Sequence, residues 1–170
     1  MKNAMHRLLL VVAVLTSSAA HAAAPRISMT GFGQVRVGLS VPELERALGK
    51  RIDLPKDEDE VACRFASPDN LFDGIGFMIR DGHLARLDVD APGIRTLSGA
   101  SVGDSQASVI SRYGPELQVT THAYAGPEGK YLTLYSKDRQ YGIRFETDGA
   151  TVTRHYAGTA EAVQFIEGCQ

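Results

Sequence analysis

Two periods of hydrophobic and polar residues succeed each other along this chain. In "VGLSVPELERALG", Val37 to Gly49, Leu44 and Leu48 stand four apart, the spacing of one helix face. Ser40 suits an N-cap, and Glu43 three residues on completes a capping box. Pro42 falls in the first turn, where amide hydrogens lack helical partners anyway. Gly49 suits the left-handed stop. The period then shortens to two. "VACRF", "GIGFMIRDG" and "HLARLDVD" read as strands, with Asp81-Gly82 as a hairpin turn.

The same phrase returns 65 residues later as "VGDSQASVISRYG", Val102 to Gly114. Val37 meets Val102, Gly38 meets Gly103, Ser40 meets Ser105, Leu44 meets Val109, Leu48 meets Tyr113 and Gly49 meets Gly114. "KYLTLYS", "YGIRFETDG" and "ATVTRHYA" follow, with Asp148-Gly149 at the matching turn. The pattern predicts an α+β fold of two tandem units, each a short helical segment on a three- to four-stranded antiparallel meander. The expected division is a leader over 1–22, a first repeat over 23–92 and a second, with a C-terminal tail, over 93–170. Helices of two to three turns are marginal alone, and each unit is too small for a large core. The units are therefore expected to share a core or join their sheets.

Alternation assigns side chains to sheet faces. Ile75, Phe77, Ile79, Leu87, Val89, Leu132, Leu134, Ile143 and Phe145 are expected to face the helices. That turns Met78, Arg80, Arg86, Asp88, Tyr131, Thr133, Tyr135, Arg144 and Glu146 outward. The phase of "ATVTRHY" is ambiguous; Val152 inward would put Thr151, Thr153 and His155 outward. Tyr and Arg are favoured at protein interfaces, and all six tyrosines lie between Tyr113 and Tyr156. Tyr131, Thr133, Tyr135, Arg144, Arg80 and Arg86 are thus the candidate binding face. The competing reading is an ordinary solvated sheet face carrying β-formers.

The N-terminus changes the picture of location and charge. Lys2 and Arg7 precede the apolar run "LLLVVAVL", and "SSAAHAAA" supplies small residues, the order of a signal peptide cleaved after Ala22. A retained anchor is the alternative, but the run is short for a permanent span. No Cys stands at the cut to take a lipid. Cleavage removes Lys2 and Arg7, so Lys+Arg falls from 18 to 16 against 20 acids and the charge from −2 to about −4. That balance argues against nucleic acid. Cys63 and Cys169 allow one intramolecular pairing, expected in an oxidising compartment, periplasmic or extracellular. The alternative is one buried and one exposed thiol. For so long a loop the chain-entropy contribution is about 4–5 kcal/mol.

Catalytic signals are weak. His83, His122 and His155 show no metal-ligand spacing. The acidic run "KDEDE", Lys56 to Glu60, lacks the spaced carboxylates and glycine of a calcium loop and reads as a solvated loop. "GFG", Gly31 to Gly33, lacks the third glycine and the lysine of a phosphate loop and reads as a tight turn. No nucleophile elbow or Cys–His pattern appears, and Asp88 with Asp90 is too common a pair to imply a glycosidase. No enzyme, cofactor or metal is expected.

The phrase "VRVGLSVPELERALG", its repeat and the hairpins that follow resemble the superfamily of the β-lactamase inhibitory protein and the outer-membrane assembly lipoprotein BamE. The tandem layout and the missing lipid-site Cys favour the inhibitor side. The resemblance implies a helical segment on an antiparallel sheet, twice over. It also implies an exported protein-binding module with an unidentified protein partner, acting as an inhibitor of an envelope or extracellular enzyme, without stable membrane insertion. The alternative is an envelope-assembly or cell-wall-associated factor. A small hydrolase or sugar-binding module would need a deep pocket of convergent polar groups.

Overall fold

Seven antiparallel strands form one sheet, and its order follows from two meanders meeting at their last strands. The structure, a computed structural model, describes residues 24–54, 62–66 and 74–169. The expected leader and the acidic run Lys56–Glu60 lie outside the described residues. Three short strands, β1 (Ile27–Ser28), β2 (Gly31–Phe32) and β3 (Val35–Arg36), make a small separate sheet before helix α1 (Val41–Leu48). The first meander is β4 (Cys63–Ala66), β5 (Ile75–Arg80) and β6 (His83–Val89). Helix α2 (Gln106–Tyr113) then precedes β7 (Gln118–Thr121), β8 (Lys130–Tyr135), β9 (Tyr141–Thr147) and β10 (Val152–Thr159). The large sheet runs β4-β5-β6-β10-β9-β8-β7. Its centre is the antiparallel pairing of β6 with β10, Leu87 opposite Ala157.

Each helix forms where its local chemistry permits. The Glu43 carboxylate accepts from the Ser40 N–H at 2.9 Å and from the Ser40 hydroxyl at 2.7 Å. In α2 the Ser105 hydroxyl accepts from the Ser108 N–H at 3.1 Å. Gly49 and Gly114 stop the helices at φ 71° and 70°. Asp81 and Gly82 both have positive φ, the conformation a two-residue hairpin demands.

The chain approaches its two helices through matching contacts. The Gly38 N–H donates to the Leu84 carbonyl at 2.7 Å, and the Gly103 N–H to the Val152 carbonyl at 2.9 Å. Leu84 donates back to Leu39 and Val152 back to Asp104. Val41 donates to Gly82 as Gln106 does to Ala150. Gly38 and Gly103 have φ of 92° and 89°. Leu44, Leu48 and Val109 from the helices pack with Ile27, Phe32 and Val35 onto Ile75, Phe77, Ile79, Leu87, Val89, Leu132, Ile143 and Phe145. These form one continuous core, and every face assignment made for its sheet residues holds. The "GFG" stretch enters β2 and the turn after it; a Cβ on Gly31 would lie 2.1 Å from the Val35 carbonyl oxygen. Among the described residues no helix is long and apolar enough to cross a membrane.

Nothing lies within 4 Å of a Cβ built on Gly38 or Gly103, so a methyl there costs only backbone strain. Gly38→Ala and Gly103→Ala are each expected to lose about 1–2 kcal/mol. The check is the urea midpoint. A clear shift in one variant and none in the other would show that the two helix approaches are not energetically alike.

Candidate functional site

The second face of the sheet carries the candidate binding residues, and the chain itself covers most of them. After β10 the tail makes a 3-10 turn, Ala162–Gln164, and reaches Cys169, disulfide-bonded to Cys63 on edge strand β4. Met78, Ala85 and Ala162 form a small second core with Phe165 and the disulfide. Gly142 leaves room for the turn: a Cβ there would lie 3.0 Å from Val163 Cγ2.

Arg86, only 2% exposed, organises this cover. Its Nε and Nη2 donate to the two carboxylate oxygens of Asp88 at 2.6 and 2.8 Å. Its Nη1 donates to the carbonyls of Ala162 and Phe165 at 2.8 and 2.7 Å. The guanidinium lies 4.3 Å from the Tyr156 ring centroid. Burial pushes the Asp88 carboxyl above its ordinary value, while the Arg86 charge pulls it down. Burial likewise raises the Tyr156 phenol, whose hydroxyl makes no hydrogen bond of regular geometry. Arg144 donates from Nε to Thr133 at 2.8 Å and from Nη2 to Gln164. Gln164 also bonds the Tyr135 hydroxyl. Arg80 pairs with Glu161 at 3.0 Å and lies over the Phe165 ring.

This corrects the reading of Tyr131, Thr133, Arg144 and Arg86 as outward to solvent. All four are buried, as are Met78 and Asp88; Tyr135 and Arg80 are half-buried. Alternation placed them on the face opposite the helices but does not say what lies over that face. The tail covers Arg86, Arg144 and Tyr135. The loop after β7 covers Tyr131, whose ring stacks on His122 at 4.3 Å.

Each of the three histidines among the described residues is engaged. His122 accepts at Nδ1 from the backbone N–H groups of Tyr124 and Ala125 at 3.0 and 3.1 Å, and its Nε2 meets Glu146 at 3.2 Å. The two acceptor contacts leave Nε2 as the donor. His83 Nδ1 bonds the Asp81 carbonyl at 2.8 Å. His155 faces the helix-side core rather than outward, because a bulge between Val152 and Arg154 shifts the phase. It bonds the Ile94 carbonyl through Nε2 at 3.4 Å, and burial holds it at about 4.

What stays exposed lies at the margin of the cover. Tyr124 is 65% and Ile166 37% exposed. With Gln164, Phe165, Glu167 and Gly168 they line a shallow open cleft of about 340 Å³. Neither residue was a candidate from sequence. The usable signals were the break in alternation after β7 and the second cysteine, which obliges the tail to cross the sheet. Among the described residues no group of three or more His, Cys, Asp or Glu could hold a metal.

No protein-family model matches the chain, and no curated protein matches it. Solved structures do, two of them as follows. One is the uncharacterized protein yfeY from Escherichia coli: 16% identity, 78% of this chain and 99% of that one, TM-score 0.47. The other is an extracellular protein containing a SCP domain from Bacillus anthracis: 8% identity, 89% of this chain, TM-score 0.50. This chain spans about half of the latter, 52%. At 8% identity that likeness shows the fold alone.

Two outcomes test the buried groups. Asp88→Ala strands the Arg86 charge and is expected to lose about 3–5 kcal/mol in denaturant unfolding; a loss below about 1 kcal/mol would show the pair to be dispensable. His155 binds its proton less readily folded than unfolded, so its contribution is complete above pH 6.5 and lost as pH falls toward 4. Wild type minus His155→Gln is expected to show a stability difference that changes by about 3 kcal/mol across that window. A flat difference would contradict the assignment.

Proposed function

We propose that this chain is an exported, non-enzymatic protein-binding module, an inhibitor of an envelope or extracellular enzyme, descended from a duplicated helix-plus-meander unit. The observation that carries the binding reading is the cleft edged by Tyr124 and Ile166, two exposed apolar anchors on braced supports. His122 fixes the backbone beside Tyr124, and the disulfide and Arg86 fix the segment beside Ile166. Rigid aromatic anchors at exposed positions are the side chains that concentrate binding energy at interfaces.

Export is supported by the Cys63–Cys169 bond, a cross-link of separation 106 that belongs to an oxidising compartment, and by the N-terminal sequence pattern. Duplication is supported by the matched contacts of Gly38 with Gly103, Leu39 with Asp104 and Leu84 with Val152. A non-enzymatic role is supported by the engagement of each histidine described above and by a cleft that is open and shallow. The partner surface differs from the one alternation suggested: it lies on the loop and tail, not on Tyr131, Thr133 and Arg144.

The test is affinity capture from envelope extract with the oxidised mature protein. Tyr124→Ala and Ile166→Ala are each expected to weaken capture about tenfold or more, with the melting temperature unchanged. Capture of a hydrolase supports inhibition, and barrel-assembly or wall components would favour the structural role instead. Undiminished capture by both variants would remove the cleft from the interface.

A further inference from the structure

A second exposed surface lies where α2, the connection after β6 and the first described residues meet. The connection makes a tight turn at Thr96–Ala100. Thr96 N–H donates to the Ala100 carbonyl at 2.8 Å, and the Thr96 hydroxyl accepts from the Ala100 N–H at 3.0 Å. Leu97 N–H donates to the Ile27 carbonyl at 2.8 Å, which ties the turn to the small sheet. The side chain of Leu97 nevertheless points away from the core and is 67% exposed.

Three arginines reach the turn that carries this leucine. Arg95 Nη1 donates to the Gly99 carbonyl at 3.0 Å, and Arg112 Nη1 to the Ser98 carbonyl at 3.0 Å. A Cβ built on Gly99 would lie 2.9 Å from Arg112 Nη1 and 3.9 Å from Arg26 Nη1, so the guanidiniums of Arg112 and Arg26 converge there. Arg26 and Arg95 also line a recess of about 100 Å³ with Ala24, Pro25 and Gly93. Among the described residues, the one carboxylate paired with this group is Asp104, whose Oδ2 lies 3.9 Å from Arg112 Nη2. Among the described residues, Arg26 and Arg95 form no ion pair. A chain of net charge −2 thus gathers three cations at one turn with an exposed apolar residue.

The geometry points to a peripheral contact with an anionic phospholipid surface, with Leu97 entering the interface and Arg26, Arg95 and Arg112 meeting lipid phosphates. Guanidiniums suit phosphate because they offer several donors in one plane. The recess between Arg26 and Arg95 is small enough to favour a phosphate ester over a larger polyanion. Leu97 selects the lipid source. A soluble anion gains nothing from an exposed leucine, whereas a bilayer buries it without a matching pocket. Each arginine near such a surface strengthens binding about fivefold, so the contact is reversible and salt-sensitive. It is independent of the Tyr124 cleft.

Co-sedimentation of the oxidised mature protein decides the matter. Vesicles of phosphatidylcholine alone should leave the protein in solution, and vesicles containing phosphatidylglycerol should bring it down, less so as salt rises. Arg26→Glu with Arg95→Glu should weaken binding by on the order of 100-fold, and Leu97→Asn by about tenfold. Arg26→Gln gives up no hydrogen bond within the described residues and serves if the double variant does not fold; it should lose about fivefold. Equal sedimentation with both vesicle types, or none with either, overturns the proposal. So does full displacement by inorganic phosphate. Binding of polyglutamate with the same loss in the arginine variants and none in Leu97→Asn would assign the surface to an acidic protein instead.

Discussion

The buried Arg86 fork is the contact on which the second half of the architecture rests. Helices cover only one face of a seven-stranded sheet, and the other carries two buried arginines and a buried aspartate that water would otherwise solvate. A charge is tolerable there only if its donors find partners. Arg86 satisfies two donors on Asp88 and spends a third nitrogen on the carbonyls of Ala162 and Phe165. Those carbonyls belong to a short 3-10 turn and the residue after it, and the Ala162 carbonyl also accepts from the Phe165 N–H at 3.3 Å. The sheet supplies charged donors to the tail's carbonyls, and the tail supplies the exclusion of water that strengthens the fork. The disulfide adds no polar contact; it keeps the tail end near by reducing the freedom of the unfolded chain.

This arrangement decides where a partner can reach. Arg86, Arg144, Thr133 and Tyr131 have the composition of an interface, and they do form one, with the chain's own tail and loop. Their hydrogen bonds are filled, so opening them to a partner would expose buried charge. The reachable surface moves outward to the segments that do the covering. Tyr124 rides on the loop that shields Tyr131, and Ile166 on the tail that shields Arg86.

Local chemistry made much of this readable. The N-caps Ser40 and Ser105, the stops at Gly49 and Gly114, the Asp81-Gly82 turn and the inward positions of both meanders depend on near neighbours only. The misassigned residues depend on distant ones. His155 turned inward because of a bulge, and a bulge inserts one residue with no mark in the alternation. The cover over Arg86 depends on strand order. Once β10 is known to pair with β6, Cys63 lies three strand spacings away, about 14 Å, and the tail must cross a face to reach it. The cysteine pair pointed to the crossing, but only topology said which residues it would bury. The three arginines at the turn that carries Leu97 were hidden for the same reason: Arg26, Arg95 and Arg112 are far apart in sequence.

Tyr124 and Leu97, the two most exposed large apolar residues among those described, share a property that ordinary surface exposure does not explain. Tyr124 follows a histidine whose Nδ1 accepts two backbone N–H groups of the same loop. Leu97 sits in a turn whose carbonyls are taken by Arg95 and Arg112 and whose amide is tied to Ile27. A loose loop would let such side chains fold back onto the protein and hide some of their area. Side-chain bonds to the loop backbone prevent that, at an ordering cost already met when the chain folds. A surface ordered in advance loses less entropy on contact and keeps more of its burial free energy as affinity. Both loops therefore hold apolar area out toward water by specific bonds, which costs stability in the isolated protein and is recovered only against another surface.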